Sequence, residues 1–218
     1  MTERMIINIA TLEGASSRTE RRDAAENRLR ILQVARMLFA ERGVAAVNMA
    51  DIALAAGVGK GTLYRRFANK GELCFALMDE HLTGFQNEML AQMQQMSLAG
   101  IPKLQQLSIF LMALVHFTEE HVPLLCEVQQ ISLQQVAGQN LQLPHFWQYM
   151  TIQGLLEAAN IAGEFPPGLD ISLLADTLLA PLSADFYRFL RQVRGFSPEQ
   201  IGMGLQNIVL GLGHREMD

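Results

Sequence analysis

The stretch Val47-Asn48-Met49-Ala50-Asp51-Ile52-Ala53-Leu54-Ala55-Ala56-Gly57-Val58-Gly59-Lys60-Gly61-Thr62-Leu63-Tyr64-Arg65-Arg66-Phe67 carries two short helix signals joined at one glycine. Asn48 is a good N-cap, and Asp51 three residues on completes a capping-box-like pair before the apolar residues begin. Ile52, Ala53 and Ala56 then fall on one face. Gly57 takes positive φ at no steric cost, so it ends the first helix and turns the chain, with Val58 plugging the corner. In the second helix Leu63 and Phe67, four apart, face inward. Thr62, Arg65 and Arg66 share the opposite face, with Tyr64 on its flank. A short helix with arginine, lysine, threonine and tyrosine outward suits a DNA major groove.

Upstream, a helix is predicted from about Asp23 to Arg42, with Leu32, Ala35 and Phe39 striped beside Leu38 and Gly43 as its C′ residue. With the pair above it makes a three-helix unit over residues 23–70. Residues 1–22 show no sustained periodicity and read as a disordered arm, in which Arg18, Arg21 and Arg22 are either solvated or near phosphates. The short apolar run from Met5 to Ala10 lacks the length of a signal peptide, and no segment has the roughly eighteen uninterrupted apolar residues of a membrane span. A cytoplasmic protein is the expectation.

These residues are similar to the N-terminal domain of the tetracycline-repressor (TetR) family. The resemblance is carried by Arg30-Ile31-Leu32, Ala35, Leu38-Phe39, Gly43, Ile52-Ala53, Ala56-Gly57-Val58, Gly61-Thr62-Leu63-Tyr64, Phe67 and Lys70, and runs without gaps from about Arg28 to Leu73. It implies phosphate contacts by Lys60, Tyr64 and Lys70 and base contacts by Thr62 and Arg65. Asn48, Gly59, Gly61 and Arg66 complete the candidate DNA-facing set. The chain departs from the family pattern at Gly59, where Ser, Thr or Pro is usual, at Asn48 for Thr, at Arg66 for an aromatic or His, and at Gly71 for Glu.

Charge is divided unevenly along the chain. Residues 1–70 hold 12 Lys+Arg against 7 Asp+Glu, whereas residues 71–218 hold 5 against 15, within a net charge of −5. A basic end on an acidic body is expected when only one end meets a polyanion.

Residues 71–218 read as an all-α body, and the 50% hydrophobic content of the full sequence suffices for a core. A long helix from Gly71 or Glu72 to about Met96 is striped by Phe75, Met78, Leu82, Phe85, Met89, Met93 and Met96. Further helices are predicted from Pro102 to about Glu120, from Pro123 to about Ala137 and from Pro144 to about Ala162. The loop Gly163–Gly168 breaks the pattern, Asp170 caps the penultimate helix, and Pro181 kinks or splits that helix. Ser197-Pro198-Glu199-Gln200 opens the last one.

The methionines Met89, Met93 and Met96 are either ordinary core or the lining of an adaptable pocket. Phe110, Met112, His116 and Phe117, with Trp147, Tyr149 and Met150, suit a small-molecule cavity, and TetR-like proteins place an effector pocket among these helices. Such a cavity would take an apolar ligand, with His116 or Tyr149 as the polar handle. The last two helices are apolar on several faces. Leu178, Leu182 and Phe186 on one, and Leu205 and Val209 on the other, are the candidate seam of a homodimer, as the resemblance implies. Gly202, Gly204 and Gly211 fit a close approach by another backbone.

No catalytic or cofactor motif is present in the sequence. Cys74 and Cys126 lack a CxxC partner and read as reduced thiols. His116 and His121, five apart with Pro123 close by, read as lying on different faces, and His81 and His145 as isolated, so no metal site is predicted. The resulting expectation is a homodimeric repressor on a palindromic operator, released by a small apolar effector through a population shift. The alternatives are a ligand-independent architectural DNA-binding protein, or a small-molecule carrier with a vestigial hairpin.

Overall fold

The computed structural model describes residues 24–135 and 146–213, and among them all regular structure is helical. The chain divides into two compact units, Met1–Leu77 and Met78–Asp218, and the division falls inside one long helix. The arm read over residues 1–22 lies outside the described residues, as do Ala137, Pro144 and His145.

The first unit is built on α1 (24–42), α2 (Met49–Ala55) and α3 (Lys60–Arg66). Ile31, Ala35, Leu38 and Phe39 are the buried stripe of α1, whereas Leu32 is only half-buried, so the face lies one residue from that expected. Gly43 at φ 79° ends α1, its N–H donating to the Phe39 carbonyl at 2.9 Å. At the start of α2, Asn48 Oδ1 accepts from the amides of Ala50 and Asp51 at 2.8 and 3.0 Å, and Asp51 Oδ2 accepts from the Asn48 amide at 3.0 Å. Gly57 sits at φ 63°, a left-handed conformation that a β-carbon disfavours.

Helix α4 (Lys70–Leu98) begins at Lys70 rather than at Gly71 or Glu72. Asn69 Oδ1 accepts from the Glu72 amide at 2.9 Å, and Glu72 reaches back to the Ala68 amide at 2.8 Å. In its first turns Leu73, Cys74 and Leu77 are buried while Phe75 is 40% exposed, so the stripe expected to begin at Phe75 lies on the neighbouring face. From Met78 onward the expected positions hold: Met78, Leu82, Met89 and Met96 are buried and Phe85 and Met93 half-buried.

The second unit is centred on α5 (Lys103–Gln135), with α6 (Phe146–Ile161), α8 (Ala184–Gln192) and α9 (Pro198–Gly213) against it and α7 (Ile171–Leu179) against α6. Two helices were expected where α5 is one, for Pro123 lies inside it. An internal proline costs about 3 kcal/mol, whereas burying a Leu or Val stabilises by about 1.5–3 kcal/mol each. Leu125 and Val128, both buried just beyond Pro123, offset it. The α5 start is held from a distance: Glu164 accepts from the amides of Lys103 and Leu104 at 2.7 and 2.8 Å. Residues Lys103–Gln129 are long and apolar enough to cross a membrane, and 44% of that window is buried inside the protein as its central helix.

Pro181 splits the penultimate segment. A 3₁₀ turn, Ala180–Leu182, separates α7 from α8. Asp170 caps α7 through the Leu173 amide at 3.0 Å, and Ser197 and Gln200 exchange capping bonds at the start of α9. The glycines of α9 expected to meet another backbone do not do so among the described residues. Gly202 faces the Met112 side chain, and Gly204 and Gly211 have open space beside them.

Candidate nucleic-acid interface and body cleft

Helix α3 has two chemically different sides. Leu63 is fully buried and Phe67 nearly so, which anchors the helix. Lys60, Gly61, Tyr64, Arg65 and Arg66 are exposed and Thr62 is half-buried. Arg65 is folded along its own helix, its guanidinium donating to the Gly61 carbonyl at 3.3 Å and to Thr62 Oγ1 at 3.4 Å. Gly61 has open space where a side chain would be, so a sugar–phosphate backbone can approach. Gly59 caps α3 through its carbonyl alone, which accepts from the Thr62 and Leu63 amides at 2.9 and 3.1 Å. Asn48 is exposed, but its oxygen is used by the α2 cap, which leaves its amide NH₂ as the group available to a phosphate. Lys70 lies with its ammonium 5.9 Å from the centre of the Phe39 ring. The candidate residues from Lys60 to Arg66 thus share one short helix, while Asn48 and Lys70 sit at the starts of α2 and α4.

The second unit carries an open cleft of about 330 Å³, lined by His81, Phe85, Glu88 and Met89 of α4 and by Ala113, His116, Phe117, Glu120 and His121 of α5. Of the pocket residues read from the sequence, Met89, His116 and Phe117 line it. Phe110 and Trp147 stand behind it: Phe110 is buried 5.7 Å from the Trp147 ring, and Trp147 meets the Phe85 ring edge-on at 6.1 Å. Met96 is buried, Met93 packs on the core, Met112 lies against Gly202, and Met150 is exposed. The Tyr149 hydroxyl is paired with Ser172 at 3.0 Å, away from the cleft lining.

Phe85, expected only as part of the α4 stripe, and His81, Glu88, Ala113, Glu120 and His121 were not expected at the cleft. His116 and His121 line the same cleft despite their spacing, and His81 is not isolated: its ring centre is 5.1 Å from that of His121. The missing signal is the pairing of α4 with α5, because on either helix alone these groups look like scattered polar positions. Among the described residues no group of three or more His, Cys, Asp or Glu is arranged to hold a metal ion. Cys74 and Cys126 are not joined in a disulfide, and burial pushes the Cys126 pKa up.

Of the residues expected at a dimer seam, Leu178, Leu182, Leu205 and Val209 are buried in the chain's own core. Phe186 is exposed and stacks on Phe189 at 5.9 Å. The apolar side chains that these helices leave outside are Leu173, Phe186, Phe189, Val193, Met203, Ile208 and Leu210.

Three kinds of similarity meet this geometry. The family model described as bacterial regulatory proteins of the tetR family matches residues 31–77. The HTH-type transcriptional repressor KstR2 of Mycobacterium tuberculosis is 30% identical over 200 residues, which span 83% of this chain and 90% of that protein. The HTH-type transcriptional regulator SAB2452 of Staphylococcus aureus is 48% identical over 65 residues, 30% of this chain but only 35% of its own length. Among solved structures, FadR of Thermus thermophilus, a repressor seen with lauroyl-CoA, is 17% identical and superposes with a TM-score of 0.62 over 88% of this chain and 96% of that one.

Proposed function

From the premise that the chain belongs to the TetR family of DNA-binding transcriptional regulators, we propose that it is a homodimeric repressor released from a palindromic operator when a small amphipathic ligand occupies the α4–α5 cleft. The observation that carries this reading is α3. A seven-residue helix pinned by Leu63 and Phe67 offers two arginines, a lysine and a tyrosine outward, and Arg65 is held only by long bonds within that helix. Lys60, Tyr64 and Lys70 hold phosphates, assisted by Asn48 and the open backbone at Gly59 and Gly61. Thr62 and Arg65 meet base edges, with Arg66 beside them.

Two such heads require two copies. Their seam is formed by the outward apolar faces of α8 and α9, where Gly204 and Gly211 let a second helix come close. The ligand acts by preferring a state whose paired heads no longer match successive major grooves, and α4, which lines the cleft and begins beside α3, is the covalent path. The protein works in the cytoplasm, on the chromosome.

Selection of fragments from the host genome by the purified protein tests the reading. Enriched fragments should share an inverted repeat with half-sites about one helical turn apart, and Arg65→Ala should weaken the enrichment and relax it at one position of each half-site. Enrichment of bent or A·T-rich DNA without a repeat would favour an architectural role instead.

A further inference from the structure

The α4–α5 cleft sets two carboxylates beside three histidines, His81, His116 and His121, on an aromatic floor. Its lining holds two carboxylates, Glu88 and Glu120, and neither lysine nor arginine. His121 is 6% exposed, and its Nδ1 lies 2.8 Å from the Phe117 carbonyl. A carbonyl only accepts, so Nδ1 carries the hydrogen and the neutral ring keeps its lone pair on Nε2. That nitrogen has no hydrogen-bond partner among the described residues. Beneath it the His121 ring stacks on Phe117 at 4.4 Å, and Phe117 stacks on Phe85 at 4.7 Å, giving a continuous aromatic floor completed by Met89. Aromatic faces and carboxylates both attract cations, and a lone pair open to the cleft accepts from a donor.

We infer that the cleft is the site of an organic cation, a protonated amine on an aryl or alkyl body, rather than of an anionic ligand such as a carboxylate. The apolar body lies on Phe85, Phe117 and Met89, while the ammonium donates to His121 Nε2 and is neutralised by Glu88 and Glu120. The inference rests on the reading of this cleft as the effector site and assigns the chemical class of the effector.

The test uses the full chain and three compounds of nearly one shape: 4-phenylbutylamine, 4-phenylbutanol and 4-phenylbutanoate. It is run at pH 8, at which the amine carries a proton and the carboxylic acid has lost its own. Calorimetry reads affinity, and Trp147, the one tryptophan in the sequence, reads the site because it abuts Phe85. The amine should bind roughly tenfold or more tightly than the carboxylate, with the alcohol between them, and should change Trp147 emission. In the Glu88→Gln/Glu120→Gln variant the advantage of amine over alcohol should vanish while alcohol affinity stays as it was; neither carboxylate is buried, so the variant folds. The inference is overturned if the carboxylate binds as well as the amine, if none of the three binds, or if the preference survives the double substitution. Binding of the amine with that preference but without loss of affinity for a selected genomic fragment supports the inference and overturns ligand-driven release.

Discussion

Arg65 is held by two long hydrogen bonds, 3.3 Å to Gly61 and 3.4 Å to Thr62, which keep the guanidinium near α3 and are easily exchanged for a base edge. Arg65→Ala should therefore cost about 1–3 kcal/mol on the selected operator and relax preference at one position in each half-site. Lys70→Ala should weaken matched and scrambled duplexes alike and reduce the salt slope by about one. Binding titrations on both duplexes at several salt concentrations check the pair; equal losses on both duplexes for Arg65→Ala would remove its base-reading role. In the body, Arg191 clamps Glu119 with bonds of 2.8 and 2.9 Å and donates also to the Phe196 carbonyl. The Arg191 hydrogen bond holds the Glu119 pKa below its ordinary value of 4.5. The stability that this pair contributes is thus fully present above pH 4.5 and is lost as pH falls through the lowered folded-state value. Arg191→Ala should lower the melting temperature at pH 7, and the gap to the native protein should close on acidification below about pH 4.5. A gap that stays constant down to about pH 3 would mean that packing, not the ion pair, is what the substitution removes.

At the scale of elements, α5 is where local and global preferences conflict. Pro123 removes one amide donor from a helix that Leu125 and Val128 nonetheless extend by burial. Pro123→Ala restores the donor and should stabilise the protein by about 1–2 kcal/mol, after allowing for the added freedom of the unfolded chain; chemical denaturation measures it. The punctuation legible in the sequence was of the short-range kind. Asn48 with Asp51, Gly57, Asp170 and Ser197 with Gln200 all act within four residues, and each does what its spacing implied. What the sequence could not express were choices made by distant partners. The α5 start is capped by Glu164, about sixty residues away. Leu73, Cys74 and Leu77 displace Phe75 from the core by a shift of one face, which periodicity alone tolerates. The cleft was half legible, through Met89, His116 and Phe117. Its charged members were hidden because nothing in the sequence sets Glu88 of α4 beside Glu120 of α5.

For the whole molecule, the apolar content of the last helices exceeds what one chain buries. Leu178, Leu182, Leu205 and Val209 satisfy the core, yet residues 171–213 still expose Leu173, Phe186, Phe189, Val193, Met203, Ile208 and Leu210. Single exposed apolar residues are ordinary, but seven large ones on consecutive helices suit a homodimer seam of the roughly 1,200–2,000 Å² that a stable interface needs. Core and seam can be separated by two substitutions on neighbouring positions. Val209 is fully buried, so Val209→Glu places an unpaired charge in the core and should unfold the protein, with loss of helical circular dichroism. Ile208 is 51% exposed, so Ile208→Glu leaves the fold intact but puts two like charges across the proposed symmetric seam. Light scattering should then find a folded monomer. Its operator affinity should collapse, because one reading head loses the second half-site, while its ligand affinity stays unchanged, because the cleft is lined from α4 and α5 alone. A folded Ile208→Glu dimer that still holds the operator would place the seam on another face and leave the exposed residues of α8 and α9 for a different partner.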